Sequence, residues 1–338
     1  MYRTWTVLLV AAALVTVGAG AGGRAPAARV LEIKGKATIV EGENLDRPAA
    51  IYGTIYSDER LMVTPDSQVM LVFRGDGHIE RVVAPGTFKV TQNGCQPQTG
   101  VEQVPLSEQN RATIGKISKG SRGIVQGGVV LVRSPAPPTS NSPSQEQESE
   151  PVVVDLGKIR PIAGSTLLVA KPKFAWPAIP KAKQYTLNLY FLGNRVWSAN
   201  SETTELDYAG ETPLKSGAMY AWEVTTTLDD KPMTVCEGMF HTISDRQRAD
   251  AEALDKLLAK PEPAYLVLAA MWYKQNELVP EAIAANERLA KLAPDSAVYR
   301  ELAELYFRAG CAEEGTAAEE KMLELEKKAE GGGRKAER

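Results

Sequence analysis

Large hydrophobic residues recur at every second position in two stretches near the middle of the chain, at Tyr185, Leu187, Leu189 and Phe191 and at Tyr220, Trp222 and Val224. Alternation of this length buries one face of a strand in a core and leaves the other face in water. Trp and Tyr side chains in and around these stretches are large enough to fill the space between two sheets. We therefore predict that residues 151–244 form a small β-sandwich.

The region before it, residues 29–133, carries shorter strand patterns separated by Gly, Pro and Asp. Short strands at even spacing with turn residues between them are typical of an all-β module. The stretch from Val69 to Phe73 is apolar at every position, which indicates a strand covered on both faces.

From residue 245 onwards the apolar residues follow the helical period instead. A first helix is predicted over 245–259, with Ser244 as its N-cap. One pattern then returns after 34 residues, and its matching pairs are Tyr265 and Tyr299, Leu268 and Leu302, Ala269 and Ala303, Trp272 and Tyr306, and Tyr273 and Phe307. A period of this length predicts paired helices over residues 245–330. One helix and two repeats bury little by themselves, so we expect this region to dock on the sandwich through its first helix.

Two segments have compositions that disfavour folding. Residues 134–150 combine Pro, Ser, Gln and Glu with no large apolar residue, and residues 331–338 are polar. Such segments bury too little surface to offset the cost of ordering. We predict a disordered linker, on which the first module swings, and a disordered tail.

The first 28 residues have the pattern of an export signal. Arg3 is followed by an apolar stretch over 6–17 and by small residues at 19–21. Residues 5–23 are uncharged and long enough to span a bilayer, so an uncleaved membrane anchor is the alternative. Either way we expect the chain to be exported, to the periplasm or cell envelope.

Charge and cysteine content narrow the functional classes. The chain of 338 residues has a net charge of -3, which gives no general attraction for nucleic acid. Its three cysteines fall one in each region, so unpaired buried thiols are predicted, with a Cys95–Cys236 bridge as the alternative.

Candidate catalytic chemistry is sparse. The two histidines, His78 and His241, are far apart in sequence, which disfavours a paired-His metal site or a His-assisted nucleophile. A glycine-rich match to a dinucleotide fingerprint at 18–23 lies inside the export segment and has no strand before it. We predict no enzymatic activity, no cofactor and no metal.

The first module resembles the FecR-type domain of bacterial envelope proteins. The residues that carry the resemblance are Gly35, Ile55, Asp58, Leu61, Thr64 to Ser67, Asp76, Gly77 and Val82 to Phe88. The resemblance implies a periplasmic, non-catalytic module of the kind found beside regulators of sigma factors. Only four residues precede the uncharged segment 5–23 here, so we expect no cytoplasmic arm.

The middle module resembles fibronectin type III and related immunoglobulin-like domains. The matching residues are Trp176, Tyr185, Leu187, Leu189, Leu214, Gly217, Tyr220, Trp222 and Val224. In such domains a corner tyrosine bonds back to the chain upstream, and the resemblance places Tyr220 in that role.

The helical region resembles tetratricopeptide repeats, with Ala282 at the small position of the second helix and Pro294 closing the first repeat. The resemblance implies a concave groove for a protein or peptide partner. By register the residues facing it are Val267, Met271, Lys274, Val298, Leu305 and Arg308. Lys274 and Arg308 could clamp a carboxylate. The alternative is that the apolar members pack on the sandwich or on the first helix.

Together these features predict a multi-domain protein with an all-β N-terminal module, a β-sandwich middle module and an all-α helical-repeat C-terminal module. The predicted function is an exported, non-enzymatic scaffold that binds protein partners in the bacterial cell envelope. The alternatives are a membrane-anchored FecR-type sensor or regulator and a protein that binds cell-wall polysaccharide.

Overall fold

The computed structural model describes residues 25–41, 45–108, 111, 114, 156–228, 230–259 and 262–333. Within them the N-terminal and middle regions are rich in β-sheet, and the C-terminal region consists of five helices. Nearly all of the predicted export segment, the predicted linker at 134–150 and the last five residues of the chain lie outside the described residues.

The N-terminal region forms two five-stranded antiparallel sheets. Their orders are β10-β7-β6-β1-β4 for the first sheet and β3-β2-β5-β8-β9 for the second. The strands are β1 Pro26–Lys34, β2 Ala37–Glu41, β3 Leu45–Pro48, β4 Thr54–Tyr56, β5 Arg60–Val63, β6 Gln68–Phe73, β7 Ile79–Val82, β8 Gly86–Thr91, β9 Gly94–Gln96 and β10 Val101–Gln103.

Strand β6 sends alternate side chains into two different cores. Val69, Leu71 and Phe73 belong to the apolar cluster of the two N-terminal sheets. Met70 and Val72 belong instead to the cluster that contains the C-terminal helices. Because side chains alternate along a strand, the first sheet is covered on both faces, and the sequence prediction for this stretch is confirmed.

The middle region pairs a five-stranded sheet, β11-β17-β16-β13-β14, with a two-stranded sheet, β12-β15. A shared apolar cluster includes Phe174 from the small sheet and Trp222 and Phe240 from the large one. The strands are β11 Thr166–Leu167, β12 Lys173–Ala175, β13 Tyr185–Phe191, β14 Asn194–Ser201, β15 Glu205–Asp207, β16 Met219–Leu228 and β17 Lys231–Thr242.

Tyr220 occupies the corner position that the sequence predicts for it. Its ring is buried and stacks on Phe240 with ring centroids 5.7 Å apart. Its hydroxyl accepts a hydrogen bond of 3.0 Å from the backbone N–H of Lys215, five residues upstream. The predicted bond back to the chain is confirmed.

The C-terminal helices follow one another through short connections. They are α1 Asp245–Leu258, α2 Pro263–Gln275, α3 Val279–Leu292, α4 Ser296–Arg308 and α5 Ala312–Gly333. Helix α1 begins with a capping box, in which Ser244 and Gln247 satisfy each other's backbone N–H groups. Helix α5 continues into the predicted tail as far as Gly333.

The largest apolar cluster joins all three regions. Leu31, Met70 and Val72 of the first sheet and Ile243 of the middle region pack in it with residues of helices α1 to α4. The prediction that the first module swings on its linker is therefore wrong for this conformation, because the outer face of its sheet is buried against the helices.

The middle region also contacts the helices, as the docking prediction required. Arg248 of α1 donates from Nη1 to the carbonyl oxygen of Leu168 at 3.1 Å. The backbone N–H of Thr166 donates to the carbonyl oxygen of Glu277, between α2 and α3, at 2.8 Å. The helical region therefore rests on two neighbours, the middle region and the first N-terminal sheet.

The three cysteines are unpaired, as predicted, but Cys311 is only partly buried, whereas burial was predicted for all three. Cys95 and Cys236 are buried in separate apolar clusters, one in the N-terminal and one in the middle region. The alternative of a bridge between them is therefore wrong. Burial raises the pKa of Cys236 to about 12 and raises that of Cys95 further, which keeps both as protonated thiols.

A cleft between the first β-sheet and the helices

The four apolar residues predicted to line a partner groove are buried inside the protein. Val267 and Met271 lie on α2, Val298 and Leu305 lie on α4, and none of them is more than 5% exposed. All four belong to the cluster that also contains the outer face of the first N-terminal sheet. In this conformation the helical face that the sequence predicts as a groove is thus largely occupied by the chain itself.

The two predicted cations are paired with carboxylates of the helices. Lys274 Nζ lies 2.7 Å from Glu301 Oε2 and 2.8 Å from Glu304 Oε2. Burial opposes the charge of Lys274, but the two carboxylates outweigh it and raise the pKa of the ammonium. Arg308 pairs with Glu277. Lys274 and Arg308 therefore do not form a shared clamp here.

The loop between β3 and β4 carries a side chain into the helical region. Tyr52 adopts a left-handed backbone with φ of 66°, and its hydroxyl donates a hydrogen bond of 2.6 Å to Asn286 Oδ1 on α3. Asn286 is only 2% exposed, and its Nδ2 donates to the carbonyl oxygen of Ala282 at 2.9 Å. Desolvation by burial raises the pKa of Tyr52 well above its usual range. Tyr52 is thus a neutral hydrogen-bonding anchor on the helices.

Strand β1 holds this loop in position. The backbone N–H of Tyr52 donates to the carbonyl oxygen of Val30 at 3.0 Å. The N–H of Val30 donates in turn to the carbonyl oxygen of Gly53 at 2.9 Å. Ile51, next to Tyr52, is 4% exposed and belongs to the same apolar cluster as the helices. Sequence reasoning missed this contact, although the two large residues Ile51 and Tyr52, directly before Gly53, were a signal for it.

Beside Tyr52 lies a cleft of about 290 Å³ between the sheet and the helices. Its walls come from both sides, and its lining residues are Arg29, Tyr52, Thr54, Ala270, Met271, Lys274, Gln275, Asn286 and Glu301. Two of the six predicted site residues, Met271 and Lys274, therefore do lie at a cleft. The other wall, which comes from β1, β4 and the loop before β4, was not predicted.

Arg29 is the unusual residue of this cleft. Its buried Nε has no hydrogen-bond partner, and no carboxylate among the described residues forms an ion pair with it. Burial and then the nearby Arg74 lower the pKa of the guanidinium, while Glu301 acts in the opposite direction. Because buried charges in proteins are normally paired, Arg29 leaves unused capacity to bind an anion.

A second polar cluster lies within the N-terminal region. His78 Nδ1 lies 2.5 Å from Asp76 Oδ1, and its Nε2 lies 3.5 Å from Glu80 Oε1. Glu80 also accepts a 2.8 Å hydrogen bond from the backbone N–H of Cys95, and Phe73 stacks on the imidazole with centroids 4.5 Å apart. His78 and Glu80 are 6% and 1% exposed, so the pair is enclosed in the fold.

Among the described residues, no group of three or more His, Cys, Asp or Glu side chains is arranged to hold a metal ion. The same part of the chain contains no helix with the length and apolar character needed to cross a membrane. The predicted anchor at 5–23 lies outside it.

Comparison of the chain with protein-family models gave no match, and neither did a search of curated proteins.

Proposed function

We propose that this protein is an exported, non-enzymatic scaffold of the bacterial cell envelope whose helical region binds protein segments. The observation that carries the proposal is the insertion of the loop with Ile51 and Tyr52 against helices α2 to α4. Here the helical face already holds a segment of protein, by apolar burial and one buried hydrogen bond.

The architecture supports this proposal. The N-terminal region contains two five-stranded sheets, as an all-β module would, and the middle region has seven strands in two sheets, the strand number of a constant-type immunoglobulin-like sandwich. Helices α2 and α4 begin 33 residues apart, at Pro263 and Ser296, which fits the tetratricopeptide resemblance. Modules of these three kinds commonly serve in binding.

In the proposed function the partner engages the part of the helical face that the β-sheet leaves open. That part is the cleft between Tyr52 and Lys274. The buried apolar residues Val267, Val298 and Leu305, which do not line the cleft, then stabilise the assembly of sheet and helices instead of contacting the partner.

Site-specific photocrosslinking tests the proposal in cells. A photoreactive residue at Gln275, which lines the cleft, should crosslink the full chain to a protein that rebinds it when purified. The matched control is Lys183, an exposed residue before β13 that does not line the cleft, where the same crosslinker should give no such product. A full chain that crosslinks to no protein from Gln275 but sediments with purified cell-wall material would favour the polysaccharide-binding alternative.

A further inference from the structure

We propose that the cleft between the first β-sheet and the helices is a carboxylate-binding site, with Arg29 as the residue that holds the anion. Arg29 lines the cleft and projects from β1, next to the cleft wall formed by α2. This inference deepens the proposed function by naming the ligand's chemistry, and it rests on that function only where the carboxylate belongs to a peptide.

The first step of the argument is the uncompensated charge. Arg29 is partly buried, and its Nε has no partner among the described residues. Lys274, the other cation of the cleft, already has Glu301 and Glu304 as partners. An entering anion therefore gains a charge-assisted hydrogen bond from Arg29 without breaking an existing ion pair.

The second step concerns the type of anion. Lys274 is already paired with Glu301 and Glu304, so the positive charge at the cleft that has no partner carboxylate is that of Arg29. The remaining single positive charge matches a monoanion, whereas Glu301 would repel a doubly charged phosphate more strongly. A guanidinium also presents a planar fork of donors that fits the two oxygens of a carboxylate.

The third step concerns the rest of the ligand, to which the carboxylate is attached. A volume of about 290 Å³ holds a group the size of one or two amino-acid residues. Ala270 and Met271 offer apolar contact, and Thr54 and Gln275 offer hydrogen-bonding groups. The same chemistry is available from a peptide C-terminus and from a small free organic acid.

Isothermal titration of the full chain tests the site. The probes are butyrate, which carries one carboxylate, acetyl-Ala-Ala with a free C-terminus, and the same dipeptide amidated. We expect binding by one or both of the carboxylate probes and none by the amidated peptide. Arg29→Gln should weaken that binding about 10- to 100-fold, because it removes a charged hydrogen bond. Arg29→Lys keeps the positive charge but lacks the planar fork of donors, so its affinity should lie between those of the wild type and Arg29→Gln.

Arg300→Gln is the matched control, since it removes the same charge from an exposed arginine on α4 and should leave the affinity unchanged. Gln275→Glu adds a negative charge to the cleft lining and should also abolish binding, which keeps the test valid if the Arg29 variant does not fold. Equal affinity in the wild type and in both cleft variants would overturn the proposal, as would failure of both carboxylate probes to bind. Butyrate binding without any protein crosslink from Gln275 would uphold the site and count against the proposed function.

Discussion

The hydroxyl of Tyr52 donates a hydrogen bond of 2.6 Å to Asn286 Oδ1, across 234 residues of sequence. This bond joins the loop before β4 to the buried side of α3. It is accompanied by burial of Ile51 and by the packing of Met70 and Val72 against the helices. The N-terminal sheet and the C-terminal helices are therefore two sides of one core.

Removing the hydroxyl should weaken this junction. Tyr52→Phe leaves Asn286 Oδ1 buried without its donor, so we expect a loss of about 1–3 kcal/mol in the free energy of unfolding. Chemical denaturation measures it. The control is Tyr56→Phe on the neighbouring strand β4, which removes a hydroxyl from a position without this buried contact and should leave the midpoint unchanged.

The unpaired charge of Arg29 should cost stability. Replacement of a poorly compensated buried charge by an apolar side chain of similar length is often stabilising, so Arg29→Met should raise the free energy of unfolding by about 1 kcal/mol. Arg47→Met is the contrasting control. Arg47 pairs with the buried Glu59 at 2.9 Å, and its removal should destabilise by about 3 kcal/mol. A loss of stability in Arg29→Met would show that the guanidinium has a structural partner.

The His78 cluster should make stability depend on pH in both directions. Burial opposes the charge of His78, but Glu80 and Asp76 outweigh it and raise its pKa above 6.5. The stability that protonated His78 gives the fold is fully present below pH 6.5 and is lost as the pH rises through its folded-state pKa. The carboxyl pKa of Glu80 is instead lowered from 4.5, because interactions with His78 and Cys95 outweigh burial. The stability that ionised Glu80 gives the fold is fully present above pH 4.5 and is lost as the pH falls through its folded-state pKa.

We therefore expect this cluster to stabilise most between pH 4.5 and 6.5. Unfolding midpoints at pH 6 and pH 8.5 provide the measurement, and His78→Gln should reduce the loss of stability between them. His241→Gln is the control, since His241 lies on β17, away from this cluster. An unchanged pH dependence in His78→Gln would show that the imidazole does not titrate with folding.

Cleavage between the regions should not separate them. A protease site introduced into residues 134–150 cuts the chain between the N-terminal sheets and the middle region. Because Leu31, Met70 and Val72 share an apolar cluster with the helices, the two pieces should still elute together on gel filtration and part only in denaturant. Two separate, folded pieces in native buffer would mean that the shared core is too weak to hold the regions together.

Local patterns in the sequence predicted the elements well and their partners poorly. The strand over residues 185–191, the N-cap at Ser244 and the corner at Tyr220 each depend on neighbours within a few residues or one strand pair. The stretch Val69 to Phe73 indicated a strand covered on both faces, but periodicity carries no information about what covers it.

The candidate site was predicted only in part for the same reason. Met271 and Lys274 follow from helical register, whereas Arg29 and Tyr52 come from the other end of the chain. A charged residue between the apolar residues Ala28 and Val30 was the local signal for Arg29. Its meaning depends on a contact with α2 that no local pattern could supply.

A double-mutant cycle between Tyr52 and Asn286 tests most directly whether the N-terminal sheet occupies the helical face. The cycle compares Tyr52→Phe, Asn286→Ala and the double variant by chemical denaturation of the full chain. If the two side chains touch as described, the effects should be non-additive, with a coupling energy of about 1 kcal/mol. Strictly additive effects would contradict the shared core of sheet and helices.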